Sequence, residues 1–573
     1  MKGGTLFQTF KRNRDERPDS AAFLLADGET TRTVTWRAFA RDVEAGGWLL
    51  GKYFPRATVA LLGENSYDWM RAHVTAMFAG GTVVPLETNL TPAEIADRLA
   101  FTGARLLLCT AAYAEKAHAA AKLLPGLHVV AFGSERFRMR MDEAKAALDA
   151  GAQGLFDLPP RDLGETSSIM FTSGTTSKPR GVELTLGNFG AFAESAGRML
   201  PLEAGSRSLM VLPLYHIFGI ASAYFMLGRG VALGVCPDFR RMFDCVVRFR
   251  VAGVFLVPAL LEILAQKLEL HGEGVALDWV GTGGAPLPSR TRVRLEARGL
   301  KIIQVYGLTE TCALFSISPY DDPRPDTAGF ASPISEVKVT AEGELAIRGP
   351  SVMKGYYRER ELTAQVLKDG WFHTGDTGTV DERGYVHVVG RRNRTIVLDS
   401  GKKVAPEELE ERLMRLPGIH EALVTGDGTT RELKATVYAT VSEETVRRQI
   451  AALNRQLPVY KRIRVIVARS EPFPRTGSGK ICVAKVKEET GEAQGTSVSI
   501  ADRRWFIWAA VITALVVAGG SMLKLMNLPE TPDWGEIALE EGGEILLAIF
   551  VLLMVFAARK GTKLLLEKRK DRK

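Results

Sequence analysis

FTSGTTSKPRGV, residues 171–182, alternates hydroxyl side chains (Thr172, Ser173, Thr175, Thr176, Ser177) with Gly174 and Gly181 and ends on two cations, Lys178 and Arg180. Small residues let backbone N–H groups turn inward as an anion-binding nest, and hydroxyls with a nearby cation add charge-assisted donors. That chemistry suits a polyphosphate. Ser167-Ser168-Ile169-Met170 immediately before it reads as the end of a strand, so the loop is expected to hang from a sheet edge. Gly-x4-Gly-Lys-Ser/Thr cannot be fitted to it, which excludes a Walker A loop. A polar surface turn is the alternative reading of any Ser/Thr/Gly cluster. The surrounding sequence decides between them.

On either side of this loop, short apolar runs alternate with helical patterns. Strands are expected at 59–63, 82–86 and 105–109, with a helix at 69–78, then strands at 208–212, 254–257, 279–281 and 302–305 and a helix at 242–249. Strand–helix–strand repeats of this length argue for a parallel sheet covered by helices. From about residue 335 the period shortens to two, as in Glu336-Val337-Lys338-Val339 and Glu344-Leu345-Ala346-Ile347, the mark of a β-rich subdomain. The expected class is therefore α/β. A large N-terminal domain (1–390) of stacked α/β subdomains with a β-rich subdomain precedes a small mobile α+β domain (391–487) and a polar linker (488–504).

Residues 505–523 carry no charge over nineteen positions, about 28 Å as a helix at ~1.5 Å per residue, which matches a hydrocarbon core of roughly 30 Å. The second apolar run, 545–558, is shorter, and together the two are expected to form a transmembrane hairpin over 505–558. The tail 559–573 holds eight Lys/Arg against Glu567 and Asp571, most of the net charge of +8. Arg503 and Arg504 precede the first span and the connection between spans is acidic, so the positive-inside rule places the enzyme and its basic tail on the cytoplasmic side of an inner membrane. A body this close to neutral argues against nucleic acid. Cys109, Cys236, Cys245, Cys312 and Cys482 show no metal spacing and suit a reducing compartment. The opening MKGGTLFQTFKRNRDERPDS has no apolar core of a signal peptide.

Several further stretches add chemistry. In QVYGLTET (304–311), Tyr306 offers a ring face for a purine, Gly307 permits close approach, Thr309 supplies a hydroxyl, and Glu310 is a hard oxygen ligand suited to magnesium. A helix-start acid is the plain alternative for Glu310. Gly281-Thr282-Gly283-Gly284-Ala285-Pro286 is a glycine turn, HTGDTG (373–378) sets Asp376 on a turn where a carboxylate can accept both hydroxyls of a ribose diol, and RTGSGKI (475–481) presents Lys480 on a glycine loop. His216 lies in LPLYHIFG (212–219).

Taken together, these stretches resemble the adenylate-forming superfamily of acyl- and aryl-CoA synthetases, luciferase and peptide-synthetase adenylation domains, over roughly residues 7–487. The motif around IVLDSGKKVAPEELE (396–410) is most similar to that of long-chain fatty acyl-CoA synthetases. The resemblance implies an ATP and AMP site formed by Thr172, Ser173, Gly174, Thr175, Thr176, Arg180, Gly283, Gly284, Ala285, Pro286, Tyr306, Gly307, Thr309, Asp376 and Arg391. It implies a magnesium ion on Glu310, and an acyl and thiol pocket at His216, Gly283, Gly307 and Gly401. Lys480, Glu310 and Thr175 are the implied catalytic groups, Lys480 arriving from the small domain to offset charge as a carboxylate attacks the α-phosphorus.

Two positions of the phosphate loop depart mildly from the family pattern, Ser177 and Arg180, and one hinge position departs strongly. Relatives usually read Gly-Arg-x-x-Asp there, whereas this chain reads Gly390-Arg391-Arg392-Asn393-Arg394. The implied activity is a membrane-anchored acid–thiol ligase. It would make an acyl-AMP from ATP and a carboxylic acid, expected to be a medium- to long-chain fatty acid, and pass the acyl group to coenzyme A. An acyl carrier protein as acceptor, or a catalytically silent membrane-bound adaptor of the same fold, are the alternatives.

Overall fold

Four sheets carry the large domain of the computed structural model, which describes residues 5–158, 161–172, 180–398, 402–426, 432–475 and 481–489. All of them fall in the first of two compact units, 1–490 and 491–573. The largest sheet has seven strands in the order Gly355–Tyr356, Arg180–Thr185, Thr166–Thr172, Thr82–Leu86, Thr58–Leu62, Leu106–Cys109, His128–Ala131. From Thr166–Thr172 to His128–Ala131 neighbours run parallel, as the strand–helix repeats predict; the other two strands add antiparallel. Along Thr58–Leu62, Val59 and Leu61 enter one core with helix Tyr67–Phe78, while Ala60 and Leu62 enter another with helices Pro92–Thr102 and Ala114–Leu123. Burial on both faces is why these strands read as unbroken apolar runs.

A four-stranded sheet (Thr30–Thr35, Ala21–Asp27, Ala232–Val235, Arg207–Met210) and a five-stranded one (Gly253–Leu256, Trp279–Gly283, Lys301–Tyr306, Ser316–Ile317, Phe330–Ala331) follow. Leu209, Val254, Leu256, Val280 and Ile302 pack under helices Met242–Phe249, Pro258–His271 and Ser289–Glu296. Met210, Phe255, Ile303 and Val305 join the core of the seven-stranded sheet. Helices Tyr67–Phe78 and Ile217–Gly228 lie in that shared core, with every residue of 69–78 and 219–228 buried. A helix enclosed on all sides has no polar face, which explains why IFGIASAYFMLG shows no amphipathic stripe. The two helices are tied by His73 Nδ1 at 2.8 Å from the Tyr224 hydroxyl, and burial lowers the His73 imidazole to about 3, so it stays neutral.

The strand expected at 208–212 ends at Met210. The Asn65 amide donates to the carbonyls of Met210 (3.4 Å) and Leu212 (2.9 Å) and accepts from Leu214 N (3.1 Å), pulling 211–214 out of the ladder. Asn65 follows strand Thr58–Leu62, so this one side chain joins the ends of two sheets.

The β-rich part is an antiparallel sheet of Glu336–Val339, Glu344–Arg348, Trp371–Val380, Leu367–Lys368 and Val386–Arg391. Beyond the turn Arg392–Arg394, strands Ile419–Gly426, Leu433–Ala439 and Ile463–Arg469 carry helices Pro406–Met414 and Glu443–Gln456 around a separate core of Leu409, Leu413, Val424, Val437, Ile450 and Ile463. Among the described residues no helix is long and apolar enough to cross a membrane. The spans expected within 505–558, the tail 559–573 and all but the first two residues of the linker 488–504 lie outside the described residues.

Candidate functional site

The phosphate-loop stretch is the connection of a β-hairpin. Thr172 and Arg180 face each other across strands Thr166–Thr172 and Arg180–Thr185. Ser173, Gly174, Thr175, Thr176, Ser177 and Lys178 lie outside the described residues. Beyond Arg180, Val182 pairs with Tyr356, which lies 6 % exposed on the neighbouring strand Gly355–Tyr356. The Arg180 guanidinium carbon is 5.8 Å from the Tyr356 ring centre, and the Tyr356 hydroxyl donates to Glu310 Oε1 at 2.8 Å. The hairpin is thus joined to the expected metal ligand through one phenol.

Glu310 belongs to the 3-10 turn Thr309–Thr311 that follows strand Lys301–Tyr306. Gly307 has no alternative here: a Cβ on it would fall 2.3 Å from the carbonyl group of Ala313. The close approach arises because Cys312 and Ala313 both adopt left-handed backbone (φ 50° and 63°), folding the loop back over Gly307. Two successive non-glycine residues in that region are strained, a feature that concentrates at functional sites. Met353 N donates to the Glu310 carbonyl at 2.8 Å and fixes the other side of the turn.

Tyr306 reaches across to the antiparallel sheet. Its hydroxyl donates to Asp376 Oδ2 at 2.5 Å, while Arg391 Nε lies 2.6 Å from Asp376 Oδ1. Asp376 and Arg391 are register partners on strands Trp371–Val380 and Val386–Arg391, so pairing alone brings the ions together. Thr374 Oγ1 accepts from Asp376 N (3.1 Å) and donates to the Leu345 carbonyl (2.7 Å), and Glu344 Oε1 accepts from Gly375 N (2.8 Å). These bonds hold the turn that aims Asp376, which is 3 % exposed. Burial, then the Asp376 charge, raises the Tyr306 hydroxyl well above its ordinary value, so it remains a donor. A buried carboxylate is costly unless bonded. Here Tyr306 bonds one oxygen and Arg391 pairs with the other.

Gly283 closes strand Trp279–Gly283 beside the Val305 carbonyl, 2.4 Å from where its Cβ would stand, and Gly284 follows at φ +82° ahead of Ala285 and Pro286. Phe218 Cζ approaches the same Gly283 position to 3.5 Å. His216 stands at the N-terminus of helix Ile217–Gly228, which carries Phe218, with the Tyr215 ring centre 4.6 Å from its own. The expected adenine and acyl residues therefore gather at the C-terminal ends of adjacent parallel strands, the usual place for ligands in open α/β sheets. Lys480 and Gly401 lie outside the described residues.

Three residues of this site escape sequence reasoning. Tyr356 and Glu310 are 46 positions apart and meet only through sheet pairing. Thr374 and Asn65 act through backbone groups, leaving no pattern in composition.

Strand-end glycines, a buried carboxylate bonded by Tyr306 and Arg391, and a second carboxylate joined through Tyr356 to a hydroxyl-rich hairpin sit together in an α/β fold with a small second domain. A model of the AMP-binding enzyme family matches residues 10–357 and one of the AMP-binding enzyme C-terminal domain matches 393–490. The chain belongs to the AMP-binding enzyme family, the adenylate-forming enzymes. It is 31% identical over 482 residues to a feruloyl-CoA synthase of Amycolatopsis sp (80% of this chain, 94% of that one). It is 28% identical over 452 residues to the long-chain-fatty-acid–CoA ligase FadD13 of Mycobacterium tuberculosis (75% and 88%). The ATP-bound crystal structure of MatB from Rhodopseudomonas palustris superposes with TM-score 0.73 at 25% identity, covering 85% of this chain and 99% of that one.

Proposed function

We propose that the protein is an ATP-dependent acid–CoA ligase. A carboxylate oxygen attacks the α-phosphorus of ATP, pyrophosphate leaves, and the thiol of coenzyme A then adds to the acyl carbon, losing its proton as AMP departs. The observation that carries this reading is the convergence of Tyr306, Asp376 and Arg391 with Glu310 around the strand ends next to the 171–182 hairpin. Asp376 takes the ribose diol, Tyr306 stacks on the purine, and the hairpin takes the phosphates. Lys480, on its glycine loop, adds a point charge at the transition state. The work is positioning and electrostatics, with no side-chain nucleophile.

Glu310 fits a magnesium site. Among the described residues no group of three or more His, Cys, Asp or Glu converges on an ion, and magnesium bound with substrate phosphates takes only one or two protein carboxylates beside water. Bound there, magnesium would neutralise phosphate charge. Tyr356 orients the carboxylate through the 2.8 Å bond. Tyr356→Phe is expected to lower pyrophosphate release about 10-fold and raise the magnesium concentration needed for half-maximal rate, within the ~10–100-fold range for partners of metal ligands. Glu310→Gln should do the same more severely. A magnesium titration unchanged by either variant removes the assignment.

The acid is proposed to be hydrophobic, medium- to long-chain, and met at a membrane through 505–558 with the catalytic domains on the cytoplasmic side. The uniform apolar run 505–523 and the likeness to a fatty-acid ligase support this. The likeness to a feruloyl-CoA synthase supports an aryl acid instead. The test is ATP-dependent pyrophosphate release over fatty acids of graded length and aryl acids, with and without coenzyme A, for the full chain and for 1–499. Chain-length-dependent release, thioester only with coenzyme A, and loss of membrane partitioning in 1–499 are expected. Thioester only on a carrier protein revises the acceptor, and no release with any acid overturns the reading.

A further inference from the structure

The guanidinium groups of the three arginines in the hinge Gly390-Arg391-Arg392-Asn393-Arg394 form ion pairs with different carboxylates. Arg391 and Arg392 turn back to the antiparallel sheet of the large domain, Arg391 to Asp376 (2.6 Å) and Arg392 Nη1 to Glu344 Oε2 (3.3 Å). Arg394 turns forward. Its Nη1 lies 3.0 Å from Glu407 Oε1 and its Nη2 2.6 Å from Glu410 Oε1, both on helix Pro406–Met414, the first helix of the small domain. The i, i+3 spacing sets the two carboxylates side by side on one face of that helix, and the guanidinium fork spans them.

The cluster is built for a cation. The Glu410 side chain is only 11% exposed and also accepts from Val424 N at 2.8 Å. Burial raises its carboxyl, and the adjoining Arg394 charge opposes that. An acid at 394, the usual family residue, would place three carboxylates within a few ångströms, where like charges cannot all ionise. Without Arg394, Glu407 and Glu410 also repel each other.

Glu407 touches both sides of the hinge. On the large-domain side its Oε1 receives Arg391 N at 3.4 Å, and its Oε2 presses on Gly390, 2.3 Å from where a Cβ would stand. On the small-domain side Arg394 grips it. Oε2 is buried and makes no hydrogen bond, so among the described residues the Arg391 N–H and the charge of Arg394, both at Oε1, compensate this carboxylate where it sits.

We propose that Arg394 is an electrostatic latch. By pairing with Glu407 and Glu410 it holds the Glu407 carboxylate against the backbone of Gly390 and Arg391, and so favours the present orientation of the small domain over any turned one. Arg394 is a positioning residue acting through Glu407. The kinetic half of this inference rests on the two-step ligase reading; the hinge half does not.

The experiment compares full-length parent, Arg394→Gln, Arg394→Lys and Glu407→Gln. Hydrogen exchange of the segment 388–396 in nucleotide-free protein is expected to quicken about 10-fold in Arg394→Gln and in Glu407→Gln, with strand Leu433–Ala439 unchanged. Arg394→Lys, a single point charge that cannot fork, should fall between. Where an acid is activated, the ratio of the adenylation rate to the thioester-forming rate should shift at least 5-fold in Arg394→Gln, one rising as the other falls. Glu407→Gln leaves the Arg394–Glu410 pair whole, so it tests the latch even if Arg394→Gln unfolds the small domain. Hinge exchange unchanged in Glu407→Gln, or both half-reactions scaled by one factor, overturns the proposal. Failure of every acid refutes the ligase reading and leaves the exchange result to judge the latch.

Discussion

Replacing Asp376 with alanine is expected to weaken ATP binding by about 10²- to 10³-fold while leaving the small domain folded. In the proposed role the carboxylate accepts two ribose hydroxyls, and a hydrogen bond to a charged group contributes roughly 1.5–3 kcal/mol, so two lost bonds amount to at least ~3 kcal/mol, with 1.4 kcal/mol per tenfold. The same substitution frees the Tyr306 hydroxyl and the Arg391 guanidinium. Arg391 is 45% exposed and regains water, so its loss is small. Tyr306 is partly buried, and its hydroxyl keeps Thr374 beside it when the Asp376 acceptor goes, so this loss is expected to cost about 1 kcal/mol of stability. Asp376→Asn separates the two effects: the amide still accepts from Tyr306 but offers no charge. Calorimetric titration with ATP, alongside thermal unfolding, reads both. Unchanged affinity in the alanine variant sinks the ribose assignment.

Lys480→Ala is expected to slow adenylation by about 10²- to 10³-fold, the range seen when a single pre-placed donor to developing charge is removed. Thioester formation from supplied acyl-AMP should survive, because the proposed role of the lysine is confined to the first step. The contrast between the two assays is the diagnostic. Equal losses in both would assign Lys480 to the fold, and equal rates in parent and variant would remove it from the chemistry.

Much of this architecture is legible in the chain because local physics writes it there. Strands buried on both faces leave apolar runs, so Thr58–Leu62 and Thr82–Leu86 fall within a residue of expectation, and helix Met242–Phe249 matches residue for residue. Tyr306, Gly307 and Glu310 share one short segment, so their chemistry is readable together. What the sequence leaves unsaid is carried by pairing between distant segments. Tyr356 meets Glu310 only because Gly355–Tyr356 joins the edge of the seven-stranded sheet. The hinge is instructive in another way. Arg394 reads as an isolated departure from the family pattern, and its meaning emerges only when helix Pro406–Met414 turns Glu407 and Glu410 toward it.

Helix Ile217–Gly228 also bears on redesign. Because it is walled in on every side, enlarging or shrinking any residue from Gly219 onward disturbs two layers of packing at once, and Gly219 itself leaves only 2.4 Å between a Cβ and the Pro213 carbonyl. Under the proposed ligase reading, attempts to change which acid is accepted should therefore concentrate on the turn at His216 and Phe218, where side chains are only partly enclosed. Libraries aimed at the helix body will mostly recover misfolded protein.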